Sequence, residues 1–313
     1  MSCCVPVFFF LTGVLYARRG LCFKKGFVRA SKLFVLTLVW ALLLWPILAL
    51  EKGGDLGLNL YVSGVLTLQQ GVINCLWFLP ALAILYLVLP FFCIVAAKDR
   101  PVLRRITVFI VVLVFGIDTL SRFADMVFWI TGSQILLKAV GFINLFNPLR
   151  GIYGFSIAFC LVGMCWEEFG VAISFRHAVL GLLLAPAPLS VYVFTRLRLT
   201  GEGYDPVWYG YGCVTTLIVV LCLFALCAKF CVSGTSGTPM VKALSFIGKN
   251  SFGVYLLHQA VCGPMVAAVL SHIPQSNLSA LIGAVLCAMS AAALSLANSA
   301  ILHTKAGKWL LTV

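Results

Sequence analysis

The chain has 313 residues, of which 62% are hydrophobic and only 10% are charged. A soluble globular domain carries roughly 25% charged residues, so this composition excludes an ordinary soluble fold and predicts a chain surrounded by lipid. The formal net charge is +13. The cations gather at the ends of apolar runs, which indicates membrane topology and contact with anionic lipid headgroups rather than binding of nucleic acid.

Apolar runs recur from one end of the sequence to the other, and each is long enough to cross about 30 Å of hydrocarbon. We therefore predict an all-α fold, a polytopic transmembrane helix bundle that forms a single domain over residues 1–313. The predicted spans, about nine in number, are residues 1–17, 33–50, 76–97, 106–130, 150–166, 178–195, 209–231, 250–270 and 278–302.

The loop charges predict the orientation of these spans. If residue 1 lies outside, most of the 22 Lys and Arg residues fall on the inner side, and the C-terminus is cytoplasmic. We expect an integral protein of a bacterial inner or plasma membrane rather than of a eukaryotic endomembrane. An outer start with no charged leader is unusual, and we expect from it that an earlier helix is missing.

The 13 cysteines do not form a recognisable framework. Most of them lie inside apolar runs, where a free cysteine behaves as a small hydrophobic residue. No CxxC pair with the spacing of metal ligands occurs in the sequence, so no metal site is predicted.

Residues 246–259, FIGKNSFGVYLLHQ, place one histidine inside an apolar run. Ser251, Tyr255 and His258 are spaced by four and three residues, so they share one face of a helix. An ionisable group within the hydrocarbon is costly, which favours a functional role for His258. The alternative is a neutral histidine that makes one hydrogen bond across a helix pair.

A basic inner loop, RRGLCFKKGFVRASK, precedes the second predicted span and contains Lys25. Arg29 and Lys32 lie one helical turn apart where that span opens. Cations at this position suit phosphate groups because they supply both charge and several hydrogen-bond donors. Simple anchoring to lipid headgroups is the alternative.

Asp118, Arg122 and Asp125 are also spaced by four and three residues, in the outer half of their predicted span. Mutual pairing would offset much of the cost of burying these charges. Two interpretations stay open, a structural clamp and a site for an acceptor or an ion.

Two further patterns are weaker. In FFFLTG, Thr12 and Gly13 are small enough to let another backbone come close. Trp77, in LWFLPALAILYLVLP, is predicted at the outer membrane interface, where indole rings are enriched, and that preference alone would explain it.

Taken in order, these segments resemble the integral-membrane acyltransferase family 3. FFFLTG is similar to its F-F-x-x-S-G stretch, RASK to its R-x-x-R, LWFLPALAILYLVLP to its WFL span, and IGKNSFGVYLLH to its S-x-x-x-Y-x-x-H span. The resemblance implies ten helices and transfer of an acyl group, usually acetyl from acetyl-CoA, to a hydroxyl of a cell-surface glycan or lipid-linked sugar. The family's first helix, with its proposed catalytic histidine, has no counterpart in this sequence.

The resemblance implies an O-acyltransferase with acyl-CoA as co-substrate and no permanently bound cofactor. Its expected partners are membrane lipids, acyl-CoA and a glycan or lipid-linked sugar, without nucleic acid. The expected site residues are His258, Tyr255 and Ser251 for catalysis, Arg29, Lys32 and Lys25 for the CoA phosphates, and Trp77, Asp118, Arg122, Asp125, Thr12 and Gly13 for the substrate. Two alternatives are an inactive truncated relative and a polytopic transporter in which the Asp118–Arg122–Asp125 face and His258 relay charge.

Overall fold

A computed structural model describes residues 4–51, 71–149, 151–169, 173–202, 211–232, 248–258 and 277–302, together with isolated positions between 57 and 68, between 241 and 246 and between 304 and 310. Within these residues the regular elements are all helical. Long apolar helices dominate, so the prediction of an all-α fold of the membrane type is confirmed.

The helices follow one another with short connections. In the first half they are α1 (Cys4–Arg19), α2 (Phe23–Glu51), a 3-10 turn (Gly71–Trp77), α3 (Phe78–Lys98), α4 (Arg100–Val111), a π-helical turn (Val112–Gly116), α5 (Ile117–Thr131) and α6 (Ile135–Leu145). In the second half they are α7 (Ile152–Met164), α8 (Trp166–Phe169), α9 (Phe175–Leu184), α10 (Pro186–Thr200), α11 (Val214–Val232), α12 (residues 248–258) and α13 (Asn277–Ile301).

Among the described residues, four continuous helical stretches are long and apolar enough to cross a membrane. They are Phe23–Leu50, Ile73–Lys98, Arg100–Thr131 and Phe175–Thr200, and shorter apolar helices cover Ile135–Leu145, Ile152–Met164, Val214–Lys229 and Val285–Ile301. The predicted span over 250–270 is described only as far as residue 258. The total of nine spans therefore stays a prediction.

The basic stretch before the second span is helical, and its prediction as a loop was wrong. Only residues 20–22 separate α1 from α2, and Gly20 makes the turn with a φ of 63°. Lys and Arg favour helices, and their long side chains can reach the headgroups from a helix that continues beyond the hydrocarbon. The cationic residues therefore extend α2 instead of interrupting it.

Helix α6 lies between the fourth and fifth predicted spans, in a segment for which no helix was predicted. It has 11 residues and packs against α5. Several of its apolar side chains are exposed, among them Ile135, Phe142 and Leu145. At about 1.5 Å per residue it is too short to cross the hydrocarbon, so a search for spans by length does not find it.

The chain divides into two compact units. Unit 1 comprises Met1–Phe27 and Ile84–Gly234, and unit 2 comprises Val28–Ala83 and Thr235–Val313. Two of the three boundaries between the units fall within α2 and within α3. The single domain over residues 1–313 stays a prediction.

The centre of unit 1 is the contact between α1 and α7. A Cβ atom at Gly13 would overlap the carbonyl oxygen of Cys160, and one at Gly163 would overlap the carbonyl oxygen of Phe10. Small residues of this kind let the backbones of two membrane helices touch. Phe10 is fully buried beside this contact, with its ring 4.9 Å from that of Phe224.

Unit 2 is built on the buried face of α2. Leu33, Leu36, Leu44 and Leu48 are fully buried at helical spacing. The indole nitrogen of Trp40, on the same face, donates to the carbonyl oxygen of Leu310 at 3.2 Å. This face provides the core of unit 2.

Candidate functional site

A cavity of about 350 Å³ opens in unit 1 where α5, the end of α6, the start of α7 and α10 converge. Among the described residues, its polar lining consists of Asp118, Ser121, Arg122, Asp125, Asn144, Asn147 and Tyr192. Apolar side chains, including Phe155, complete the wall. A mainly apolar pocket with a few convergent polar groups is the usual form of a small-molecule site.

The spacing along α5 explains how its side chains reach the cavity. Asp118, Ser121, Arg122 and Asp125 follow one another at intervals that keep them on one helix face. The π-helical turn Val112–Gly116 comes immediately before them. Such a turn inserts an extra residue into the helix and is frequent at functional sites. It thereby sets the rotation at which α5 presents this face.

Arg122 is compensated within its own helix. Its Nε donates to Asp118 Oδ2 at 2.8 Å and its Nη2 to Asp118 Oδ1 at 3.3 Å, which is a two-pronged pair. The side chain of Arg122 is 12% exposed. Its guanidinium carbon also lies 5.3 Å from the centre of the Tyr192 ring, within the range of a cation–π contact.

Asp125 is held from the neighbouring helix. The Tyr192 hydroxyl, on α10, donates to Asp125 Oδ2 at 3.3 Å. An ionised carboxylate offers about four lone-pair sites, so this bond leaves Asp125 further capacity to accept hydrogen bonds. A donor-rich ligand in the cavity would meet that capacity.

The two asparagines come from α6 and the connection that follows it. Asn144 Nδ2 donates to Ser121 Oγ at 3.4 Å, and Asn147 Oδ1 accepts from the Leu149 backbone N–H at 3.0 Å. The second bond fixes the turn that carries Asn147. Farther along α10, Arg196 Nη2 donates to Glu202 Oε2 at 2.8 Å.

The structure thus brings Asp118, Arg122 and Asp125 to one cavity, as their spacing suggested. Their part in substrate binding stays a prediction. Sequence reasoning missed Ser121, Asn144, Asn147 and Tyr192, which complete the polar lining. Ser121 could have been found, because it lies three residues after Asp118 on the same face. The other three come from separate elements, and no spacing along the chain connects them to α5.

The expected catalytic residues lie on α12 in unit 2. The Tyr255 hydroxyl donates to the carbonyl oxygen of Cys75, and its ring meets that of Phe78 edge-on at 5.0 Å. His258 Nδ1–H donates to the carbonyl oxygen of Tyr255. In a neutral imidazole this bond leaves Nε2 as the acceptor nitrogen. Ser251 Oγ donates to the carbonyl oxygen of Gly248 at 2.8 Å.

The other expected residues are dispersed. Trp77 is buried in unit 2 with its ring edge-on to that of Phe78, and its position at the outer membrane interface stays a prediction. It ends the 3-10 turn that leads into α3, and this position carries its ring inward. Thr12 Oγ1 donates to the carbonyl oxygen of Phe8 at 2.8 Å, and Gly13 lies in the α1–α7 contact. Their substrate role stays a prediction.

The expected CoA-binding cations lie in the first turns of α2. Arg29 and Lys32 are half-buried one helical turn apart, and Lys25 is exposed nearer the start of the helix. A cation that keeps part of its side chain in the protein and its charge near the surface can meet a phosphate at the membrane boundary. This position agrees with the proposed contact but does not test it.

Comparison with known protein families identifies the chain. A family model described as an acyltransferase domain matches residues 1–297, and it is the model of acyltransferase family 3. No curated protein and no solved structure matches the chain.

Proposed function

Because this chain belongs to acyltransferase family 3 and is a membrane acyltransferase, we propose that it transfers an acyl group, acetyl, from acyl-CoA to a hydroxyl of a glycan or lipid-linked sugar. The observation that carries the acceptor half of this proposal is the cavity of unit 1. Its carboxylate, amide and hydroxyl groups suit a molecule with many hydroxyls.

The reaction conserves atoms and charge without a further reagent. The acceptor hydroxyl oxygen attacks the carbonyl carbon of the thioester, an ester bond forms, and the carbon–sulfur bond breaks. The hydroxyl proton passes to the departing thiolate, so the products are the ester and free CoA. A positioned base accelerates such a step by carrying the proton.

We assign the donor side to the start of α2. Arg29 and Lys32 bind the CoA phosphates, and Lys25 adds a further cation on the exposed part of the same helix. A guanidinium can hold a phosphate through two parallel hydrogen bonds, whereas an ammonium acts as a point charge. Arg29 is therefore the residue expected to contribute most to the affinity for acyl-CoA.

We assign to α12 the handling of the acyl group. His258 Nε2 is available to accept a hydrogen bond or a proton, because Nδ1–H is directed to the Tyr255 carbonyl oxygen. Tyr255 holds α12 through its bond to Cys75. Ser251, which bonds back to Gly248, supports the helix one turn before Tyr255.

The test uses the full chain, purified in detergent, with acetyl-CoA labelled in the acetyl group. Membrane extract from the native source supplies the acceptors. We expect label to appear in a base-labile ester, with an equal amount of free CoA released. A protein that retains its fold and releases no CoA with any acceptor fraction would contradict the proposal. The His258→Gln variant, compared with His177→Gln outside α12, then tests the assignment of the acyl path.

A further inference from the structure

We propose that the cavity of unit 1 selects its ligand by charge: it binds an uncharged, polyhydroxylated ring and rejects an anionic one. This inference rests on the proposed function, because it narrows the class of acceptor. It concerns the residues of the cavity alone and makes no use of the acyl donor.

The charges that face the cavity carry the first step. Asp118 and Arg122 neutralise each other at 2.8 Å. Asp125 contributes a second carboxylate, which accepts a hydrogen bond from the neutral hydroxyl of Tyr192. Arg196, farther along α10, is paired with Glu202. The described residues of the lining therefore carry a net charge of −1, which Asp125 contributes.

The sign of this charge decides which ligands fit. An anionic group placed in the cavity would lie beside Asp125, and the one arginine among the described lining residues is already paired with Asp118. Like charges that are partly shielded from water repel strongly, and such repulsion is a common source of specificity. A phosphate or carboxylate is thus excluded even though the lining contains an arginine.

The hydrogen-bonding groups favour hydroxyls. Asp125 accepts, the amides of Asn144 and Asn147 carry both donors and acceptors, and the Ser121 hydroxyl can do either. Phe155 gives the wall an apolar surface. A sugar ring presents hydroxyls that donate and accept along its rim, together with apolar C–H faces. This combination matches the lining better than a purely apolar ligand does.

The volume of the cavity sets an upper limit on the size of the ligand. A cavity of about 350 Å³ lies near the lower end of the range of small-molecule pockets. It accommodates a small cyclic ligand rather than a long glycan chain. We infer that it holds the terminal ring that carries the acceptor hydroxyl.

Two probes of the same ring test this selection. Methyl β-glucoside is uncharged, and methyl β-glucuronoside carries a carboxylate in place of the hydroxymethyl group of the glucoside. Their binding to the full chain in detergent is measured by saturation-transfer NMR, without acyl-CoA. We expect the anionic probe to bind at least about tenfold more weakly, as repulsion between two partly buried charges a few ångströms apart requires.

The Asp125→Asn variant separates the effect of the negative charge of Asp125 from that of its hydrogen bond. An asparagine oxygen can still accept from Tyr192, so the contact is retained while the negative charge is removed. We expect the two probes to bind within about twofold of each other in this variant. The matched control is Asp99→Asn, which removes a carboxylate from the exposed cap of α4, where asparagine caps equally well.

Three results would overturn the inference. They are equal binding of both probes by the unmodified chain, preference for the anionic probe, and failure of both probes to bind. If Asp125→Asn does not fold, Ser121→Ala tests the site instead. Removing the hydroxyl of this lining residue must weaken the binding of the uncharged probe several-fold. Labelled acetyl transfer without sugar binding would refute this inference alone, whereas sugar binding without transfer would refute only the proposed reaction.

Discussion

At the scale of single residues, Arg122 and Arg29 differ in their position and in their proposed roles. Arg122 is bound by Asp118, one turn away on α5, which accounts for its burial. Arg29 lies half-buried near the start of α2, in a stretch rich in cations. Of the two, Arg29 is the residue that we propose binds the CoA phosphates.

Replacing Arg29 by alanine is expected to raise the KM for acetyl-CoA about tenfold or more, because a charge-assisted hydrogen bond contributes roughly 1.5–3 kcal/mol. The kcat should change less, since the CoA phosphates are remote from the reacting carbonyl. Initial rates over a range of acetyl-CoA concentrations measure both constants.

Arg19→Ala is the control for Arg29→Ala. Arg19 is exposed at the end of α1 and carries the same charge. A KM that is unchanged in Arg29→Ala, or raised equally in both variants, would contradict a specific contact between Arg29 and the phosphates.

A second prediction at the residue scale concerns the contribution of the Tyr255 hydroxyl to stability. Tyr255→Phe removes its bond to the Cys75 carbonyl oxygen but retains the ring contact with Phe78. We expect the free energy of unfolding to fall by about 1 kcal/mol, the usual net contribution of one hydrogen bond. Denaturation in detergent measures it. Tyr153→Phe, at an exposed position on α7, should leave the value nearly unchanged.

At the scale of elements, the pair of α1 and α7 explains the FFFLTG segment. Gly13 and Gly163 bring the two backbones together, and Phe9 and Phe10 fill the space beside them. The aromatic and small residues thus serve helix packing. No contact with a substrate is needed to explain their positions.

Gly13→Ala is expected to lower the free energy of unfolding by about 1–3 kcal/mol, the usual cost of overpacking a close contact. The added methyl would overlap the Cys160 carbonyl oxygen, and the helices would have to separate. Thermal denaturation in detergent gives the measurement.

The control for this change is Gly141→Ala on α6, where an added methyl meets open space. There alanine should stabilise the helix by roughly 0.5–1 kcal/mol, because it has the higher helix propensity. The prediction fails if the two substitutions change stability in the same direction.

At the scale of the molecule, two ion pairs connect the helices at one end of unit 1. Arg18 Nη2 lies 3.1 Å from Glu167 Oε1, and Arg100 Nη1 lies 3.7 Å from Glu168 Oε1. These pairs are exposed and contribute little to stability. They nevertheless place the end of α1, the short helix α8 and the start of α4 at the same end of unit 1. The orientation predicted from the loop charges puts this end on the inner side of the membrane.

That orientation predicts opposite accessibility for two positions in intact cells. Cys22, exposed between α1 and α2, should react with an impermeant maleimide only after the membrane is opened. A cysteine introduced by Gln134→Cys, at the exposed connection before α6, should react without that treatment. Each is tested as the sole cysteine of the chain. The reverse pattern, or equal labelling, would overturn the positive-inside assignment.

The sequence alone determined the class of protein and the family, because both rest on properties that follow chain order. Apolar runs and few charges predicted membrane helices, and four short segments in the right order pointed to acyltransferase family 3, which the match over residues 1–297 confirmed. The spacing of Asp118, Arg122 and Asp125 likewise placed them on one face of α5, since a helix fixes the rotation of each residue relative to its neighbours.

Only the tertiary structure decided what surrounds that face. Tyr192 reaches Asp125 from α10, 67 residues farther along the chain, and Asn144 comes from a helix too short to be recognised as a span. Likewise, Tyr255 finds its partner 180 residues away at Cys75. Contacts between helices depend on crossing points and rotation, which a uniform apolar sequence does not encode locally, so the cavity and its charge emerge only when the helices are packed.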